Sequence, residues 1–371
     1  MAQPVLKSHL RLEDYEAQAE TQPRLNLGFR PLLFAGLLAG VVLVFLLALT
    51  IGSVSIPLEQ TITILLGGEP ERASWANIVL KVRLPKALTA LLAGAALSVS
   101  GLLMQTLFRN PLASSDVLGI NSGASLGVAL VVLTVGGSGT LLAGVSLLAD
   151  MSLAAAAIIG SAATLLLILL IARHVENSLT LLILGLMIGN LTFALVSLLI
   201  YFSIPERIQA YINWGFGTFG GVTLDQLPIL AFPILAGLAL AWVLAKPLNS
   251  LLLGEFYAIS LGLNTRQARL MIITTTALLT GAVTAFCGPV GFIGIAVPHL
   301  CRSLFNTSDH RVLVPGVIFM GGIAAILLAL IAEMPGSNIV LPLNAVMALF
   351  GAPVVIGIIL RQRNIQKAFA G

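Results

Sequence analysis

Charge is what this sequence has least of. Only 9% of its 371 residues are charged, against roughly a quarter in a soluble domain, so the chain cannot clothe a water-facing surface. There is no Gly-Lys-Ser/Thr phosphate loop, so the chain has no means of its own to cradle ATP. Neither His-Glu-x-x-His nor Cys-x-x-Cys occurs, and no zinc site, redox pair or nucleophile–base constellation is visible, which leaves an intramembrane enzyme remote. A carrier driven by an ion gradient would need intramembrane acids, and the hydrophobic segments lack paired carboxylates. Basic residues are never clustered with aromatics, which make up only 6%, so the net charge of +4 is no nucleic-acid signal. The two cysteines, Cys287 and Cys301, are 14 residues apart; on helix they would stand ~21 Å apart, too far for a disulfide, and they read as small buried apolar residues.

What remains is apolar length. Hydrophobic residues make up 58% of the chain and mean hydropathy is +1.04. A helix needs about 20 apolar residues to cross the hydrocarbon core, and such runs recur from residue 31 to 361. The ~10-residue alternating segments of a membrane barrel are absent. The expected fold is therefore an all-α polytopic membrane protein of about ten helices, with spans at 31–51, 84–107, 116–135, 151–172, 180–202, 227–245, 269–287, 291–305, 312–333 and 343–361. Asp150 is placed outside the fourth span because a carboxylate at mid-bilayer is costly. Residues 1–30 read as a polar tail rather than a signal peptide, 31–361 as the transmembrane domain, and 362–371 as a short tail.

Placing the N-terminus in the cytoplasm puts 14 of the 19 bases inside, leaving Arg72, Lys81, Arg83, Lys86 and Arg207 outside. The positive-inside bias and the even helix count agree: a multi-pass inner-membrane protein with both termini cytoplasmic. Residues 91–101 (LLAGAALSVSG) and 278–288 (LLTGAVTAFCG) share the two Leu, the Gly-Ala pair and the last Gly. They fall in the second and seventh spans, which run in opposite senses, as in an inverted repeat of spans two to five and seven to ten.

Five stretches carry more specific information: RLPKALTALLAGAALSVSGLLMQTLFRNPLASSDVLGINSGASLG at 83–127, WGFGTFGGV at 214–222, GEFYAISLGLN at 254–264, GPVGFIGIAVPHLCRSLFNTSDHRVLVPG at 288–316 and LPLNAVMALFGAP at 341–353. Their physics is legible separately. Arg109-Asn110-Pro111 ends an apolar helix with a charge, a cap-forming amide and a helix-breaking ring. Gly288-Pro289 breaks the chain and restarts a helix. His299 beside Pro298 and near Arg302 sits at a helix end, where a lone histidine more often hydrogen-bonds locally than ligates a substrate. The segment 246–268 is the longest inner loop; Gly262 permits a tight turn, and Phe256, Ile259 and Leu261 offer an apolar patch.

In this order and spacing the five stretches resemble the FecCD-type permease family, which includes bacterial vitamin B12, haem and ferric-siderophore importers. The resemblance implies a permease subunit that binds no cofactor itself. It would pair with a second permease copy or paralogue in the lipid bilayer, with two cytoplasmic ATPase subunits holding ATP and Mg²⁺, and with an extracytoplasmic binding protein. It would import an iron(III)-siderophore or related chelate by ATP-driven alternating access, with haem or cobalamin as the alternative cargo. The 246–268 loop would dock on the ATPase through Glu255, Ala258, Ser260, Leu261, Gly262, Asn264 and Arg266. Arg83 and Lys86 would meet glutamates of the binding protein; snorkelling at the interface competes with that reading. Asn177 and Ser178 would form an inner gate, and Asn190, Thr192, Asn344 and Met347 would line the pathway, against ordinary packing by small polar residues. Gln105, Arg109, Asn110, Pro111, Gly288, Pro289, Pro298, His299 and Arg302 would form the structural motif around it. The chain departs from the family where Lys86 replaces arginine, where Ala329 and Glu333 replace Asp-x-x-x-Arg, and where Val340 replaces an acid.

Overall fold

Apolar composition must bury its backbone hydrogen bonds internally, and the computed structural model answers with helices alone: no strand occurs among the described residues, which are 30–136, 146–172, 174–175, 178–336 and 339–369. The elements are α1 (Pro31–Thr50), α2 (Leu58–Leu65), α3 (Ala73–Leu107, with a π-type turn over Ile78–Arg83), α4 (Ile120–Ala129), α5 (Ser146–Ala172), α6 (Ser178–Tyr201), α7 (Pro205–Gly215), α8 (Leu227–Val243), α9 (Ala245–Leu252), α10 (Glu255–Ser260), α11 (Thr265–Cys287), α12 (Ile293–Phe305), α13 (His310–Ala332) and α14 (Leu343–Phe369).

A helix stands at each of the ten expected spans. Six of them are by themselves long and apolar enough to cross a bilayer, and α8 with α9 makes a seventh bent by 52°. The three others, Ile120–Thr134, Ile293–Phe305 and Leu343–Gly357, are shorter. The polar tail at 1–29, Asn177 and the loop tip at Gly137 lie outside the described residues.

The interior is built on α3. Of its most apolar stretch 83% is buried, and 72% for α11, against 17% for α1 and 17% for α6. The reason is side-chain size. Between helices in a membrane, close approach is what drives association, and small residues permit it. A Cβ on Gly101 of α3 would lie 1.8 Å from the Gly294 carbonyl oxygen of α12, and one on Gly94 would lie 2.2 Å from the Gly321 carbonyl of α13. Backbone therefore touches backbone at both crossings. The two similar segments, 91–101 and 278–288, lie on α3 and α11, which pack against one another. Cys287 and Cys301 are free and buried, as small apolar side chains.

Candidate functional site

One end of the bundle carries Arg109, Arg269 and Arg302, and there the chain between α8 and α11 folds into a hairpin of two short helices. Gly254, at φ 116°, separates α9 from α10, and Gly262, at φ 82°, ends α10, with Leu263 N–H donating to the Ala258 carbonyl (3.0 Å). Both glycines occupy backbone that L side chains rarely adopt. Leu248 and Leu251 of α9 are buried, and Asn249 ties that helix to the start of α13: its amide donates to Asp309 Oδ1 (2.6 Å) while its oxygen accepts from the His310 backbone N–H (2.8 Å). His310 in turn lies 2.8 Å from Thr106 Oγ1 on α3.

On α10 the apolar side chains face outward: Phe256 is 91% exposed, and Tyr257, Ile259 and Leu261 are exposed beside it. Of the residues assigned to ATPase docking, Leu261, Ser260, Gly262 and Arg266 lie on the surface. Asn264 is also exposed and caps α11 by accepting from Gln267 N–H (3.0 Å), whereas Ala258 is fully buried and shapes the hairpin from within. Glu255 pairs with Arg269 (2.6 Å).

The structural motif closes at this same end. Arg302 donates to Gln105 Oε1 (2.6 Å), Gln105 donates to the Ile295 carbonyl (3.2 Å), and His299 Nε2 lies 2.8 Å from the Pro111 carbonyl. Two stretches nearly 200 residues apart thereby lock α3 to α12, with Arg109 at φ 47° turning the chain out of α3 and Asn110 accepting from Leu112 N–H (2.9 Å). His299 thus makes a local contact between α12 and the turn that follows α3.

The opposite end alters the picture drawn for Arg83 and Lys86. Arg83 is 7% exposed; its guanidinium donates to the carbonyls of Leu49 and Thr50 (2.9 Å each) and to that of Val54, closing the C-terminal end of α1. Lys86 forms an ion pair with Glu333. Both bases are satisfied inside the chain, because the end of α1 leaves carbonyls without helical partners and because Glu333 stands across from Lys86. Positions 86 and 333, noted separately in the sequence, are thus in contact with one another.

Along the proposed pathway, Asn190 of α6 is exposed, whereas Thr192 is 6% exposed and donates to the Ile188 carbonyl of its own helix (2.8 Å). Met347 is fully buried and belongs to the packed core rather than to a wall. Asn344 is a clamp: its amide donates to the carbonyls of Gly215 (3.1 Å) and Pro289 (2.6 Å), and its oxygen accepts from Gly291 N–H (3.2 Å). It borders a cavity of about 620 Å³ shared with Asp116, Asn121, Phe216, Pro289 and Phe292. Gly288, at φ 73° and with no room for a Cβ beside the Trp214 carbonyl, lets the 288–291 turn enter this region. Ser178 begins α6.

Sequence reading missed Asp116 and Asn121. Asn121 donates to Asp116 and accepts from the Thr284 hydroxyl (2.7 Å). The signal was present: an acid opening an otherwise uncharged apolar run, which is a functional flag in a membrane segment. Among the described residues no three His, Cys, Asp or Glu gather as a metal site.

The sequence profile of the FecCD transport family matches residues 40–361, and the chain belongs to that family of ABC importer permeases. Among its relatives are vitamin B12 import system permease proteins BtuC: that of Salmonella typhimurium is 37% identical over 287 residues, 76% of this chain and 83% of the relative. That of Klebsiella pneumoniae is 36% identical over 299 residues, 80% and 86%. A solved metal-chelate-type ABC transporter in an inward-facing conformation superposes with a TM-score of 0.78 at 28% identity, covering 90% of this chain and all of the other.

Proposed function

We propose that this chain is one of two permease subunits in a binding-protein-dependent importer that carries an iron(III)-siderophore or related metal chelate into the cytoplasm. The observation that carries the reading is the α9–α10 hairpin. It presents Phe256, Tyr257, Ile259 and Leu261 to the outside on a segment pinned to α13 and α3 through Asn249, and an exposed apolar patch on a rigid support marks a docking surface. Its occupant is a cytoplasmic ATPase subunit, two per complex, with ATP and Mg²⁺ bound there and not on this chain. Both termini lie in the cytoplasm of a cell with an inner membrane, and an extracytoplasmic protein delivers the cargo. With Arg83 and Lys86 engaged internally, that protein meets the outer face through other side chains; Lys81 is exposed there.

The vitamin B12 relatives favour cobalamin as the second cargo reading, and haem remains an alternative within the same machine. The test joins engine and cargo. The purified chain in lipid hydrolyses no ATP, while the complete importer in vesicles accumulates a ⁵⁵Fe-labelled siderophore complex, and labelled cobalamin or haem does not displace it. Hydrolysis by the chain alone sinks the permease-subunit reading. Accumulation of cobalamin instead of the iron chelate transfers the assignment to the second cargo.

A further inference from the structure

The geometry points to Arg269 as the positioning residue that passes movement of the ATPase-docking helix to the chain entering α6. This rests on the coupling role proposed for the hairpin and goes beyond it. Arg269 lies one turn into α11 with its side chain only 7% exposed. One arm of its guanidinium, Nη2, donates to Glu255 Oε1 on α10 (2.6 Å). The other, Nη1, donates to the carbonyl of Val175 (2.8 Å), three residues before α6 begins. A single planar fork thus joins the first residue of the docking helix to a segment that lies 94 positions before Arg269 in the chain.

The two halves of the hairpin are held differently. α9 is tied by Asn249 to Asp309 and His310, at the foot of α13 and beside Thr106 of the interior helix α3, so it moves only with the packed core. α10 shows an exposed apolar face, seats only Ala258 in the core and is tied by Glu255 to Arg269. On the far side of the fork stands α6, which is little buried in this chain, 17% against 83% for α3. Its first turn is seated in the core by Leu181, 1% exposed, and Arg269 holds the chain just ahead of that turn. The guanidinium holds its donors in a fixed plane, whereas a lysine ammonium is a compact point charge on a flexible stem. Displacement of the hairpin therefore reaches the Val175 carbonyl through Glu255 and Arg269, and with it the start of α6.

The complete importer tests this, reconstituted in vesicles with its ATPase and binding protein. Thr180 of α6 is exposed, so Thr180→Cys accepts an environment-sensitive fluorophore while the buried Cys287 and Cys301 do not. In the otherwise unchanged chain, ATP binding alters the fluorescence at 180. In Arg269→Gln the ATPase stays bound and hydrolyses ATP, but the response at 180 falls by at least about fivefold, the lower range of coupling between linked sites. Arg269→Lys, which keeps the charge beside Glu255, loses the response as well. A full response in Arg269→Lys reduces the contact to an ion pair and overturns the relay, as does a full response in Arg269→Gln. Should Arg269→Gln fail to assemble, the lysine variant decides. An ATPase that fails to bind the unaltered chain would instead sink the docking reading itself.

Discussion

Helices α3 and α6 are both apolar, yet one forms the interior and the other lies nearly bare in this chain. Mean hydropathy over their spans is 1.9 and 2.3, so the more hydrophobic of the two is the less buried. In water that ordering would be perverse. In lipid it follows from the solvent, since hydrocarbon tails satisfy a leucine as well as a protein core does, and burial goes to the residues that let backbones touch. Helix α3 reads ALTALLAGAALSVSG, small and weakly polar, where α6 carries Leu191, Phe193, Leu195 and Leu198 outward. The contrast locates stability in the first and leaves the second to lipid, a partner subunit or the pathway.

The largest expected effect breaks the interior. Gly101→Ala places a methyl 1.8 Å from a backbone carbonyl, a clash that no rotamer relieves, and costs at least the ~1–3 kcal/mol typical of overpacking. The readout is yield and thermal stability of the detergent-purified chain, and wild-type values would deny the α3–α12 crossing. The next effect belongs to the docking hairpin. At Gly262 no atom beyond its two chain neighbours lies within 4 Å of where a Cβ would stand, so Gly262→Val carries only backbone strain, on the order of 1–3 kcal/mol at positive φ. The variant reaches the membrane but loses much of its ATPase association and transport, scored by co-purification and uptake; normal assembly would make the hairpin a passive connector. Smaller again is Glu333→Gln, which strands Lys86 in a site where its side chain is 19% exposed. A lost charged partner costs roughly 1–3 kcal/mol, and Lys86→Gln in the same chain recovers most of it in a melting experiment. No recovery would mean the two residues act independently. Smallest is Gly189→Ala on α6, whose methyl would meet Ser122 Oγ at an ordinary 3.4 Å; it leaves stability unchanged, and a loss as large as that of Gly101→Ala would erase the contrast.

Much of the candidate site was legible before the structure. Gly262 stood out as a turn and the neighbouring Phe256, Ile259 and Leu261 as an apolar patch, because local conformation and exposure of short amphipathic loops follow from nearby residues. Arg109-Asn110-Pro111 read correctly as a helix end. The intrachain partners of Arg83 and Lys86 were not legible, since they are the carbonyls of Leu49, Thr50 and Val54 and a carboxylate 247 positions away. Met347 and Thr192 were proposed as pathway wall and turned out to face protein, because a membrane helix apolar on all sides shows no periodicity to tell one face from another.

Composition and motif order alone determined the class of molecule: a helical membrane permease, its apolar runs dictated by the absence of water in the bilayer. Those are properties of single segments, and segments are what a sequence displays. Which helix became the interior, which bases were spent on α1 and on Glu333, and how Arg269 came to hold both Glu255 and Val175 were decided by tertiary structure. Each depends on two or three groups far apart in the chain meeting within about 3 Å, the reach of a hydrogen bond, and only the packed fold sets that distance.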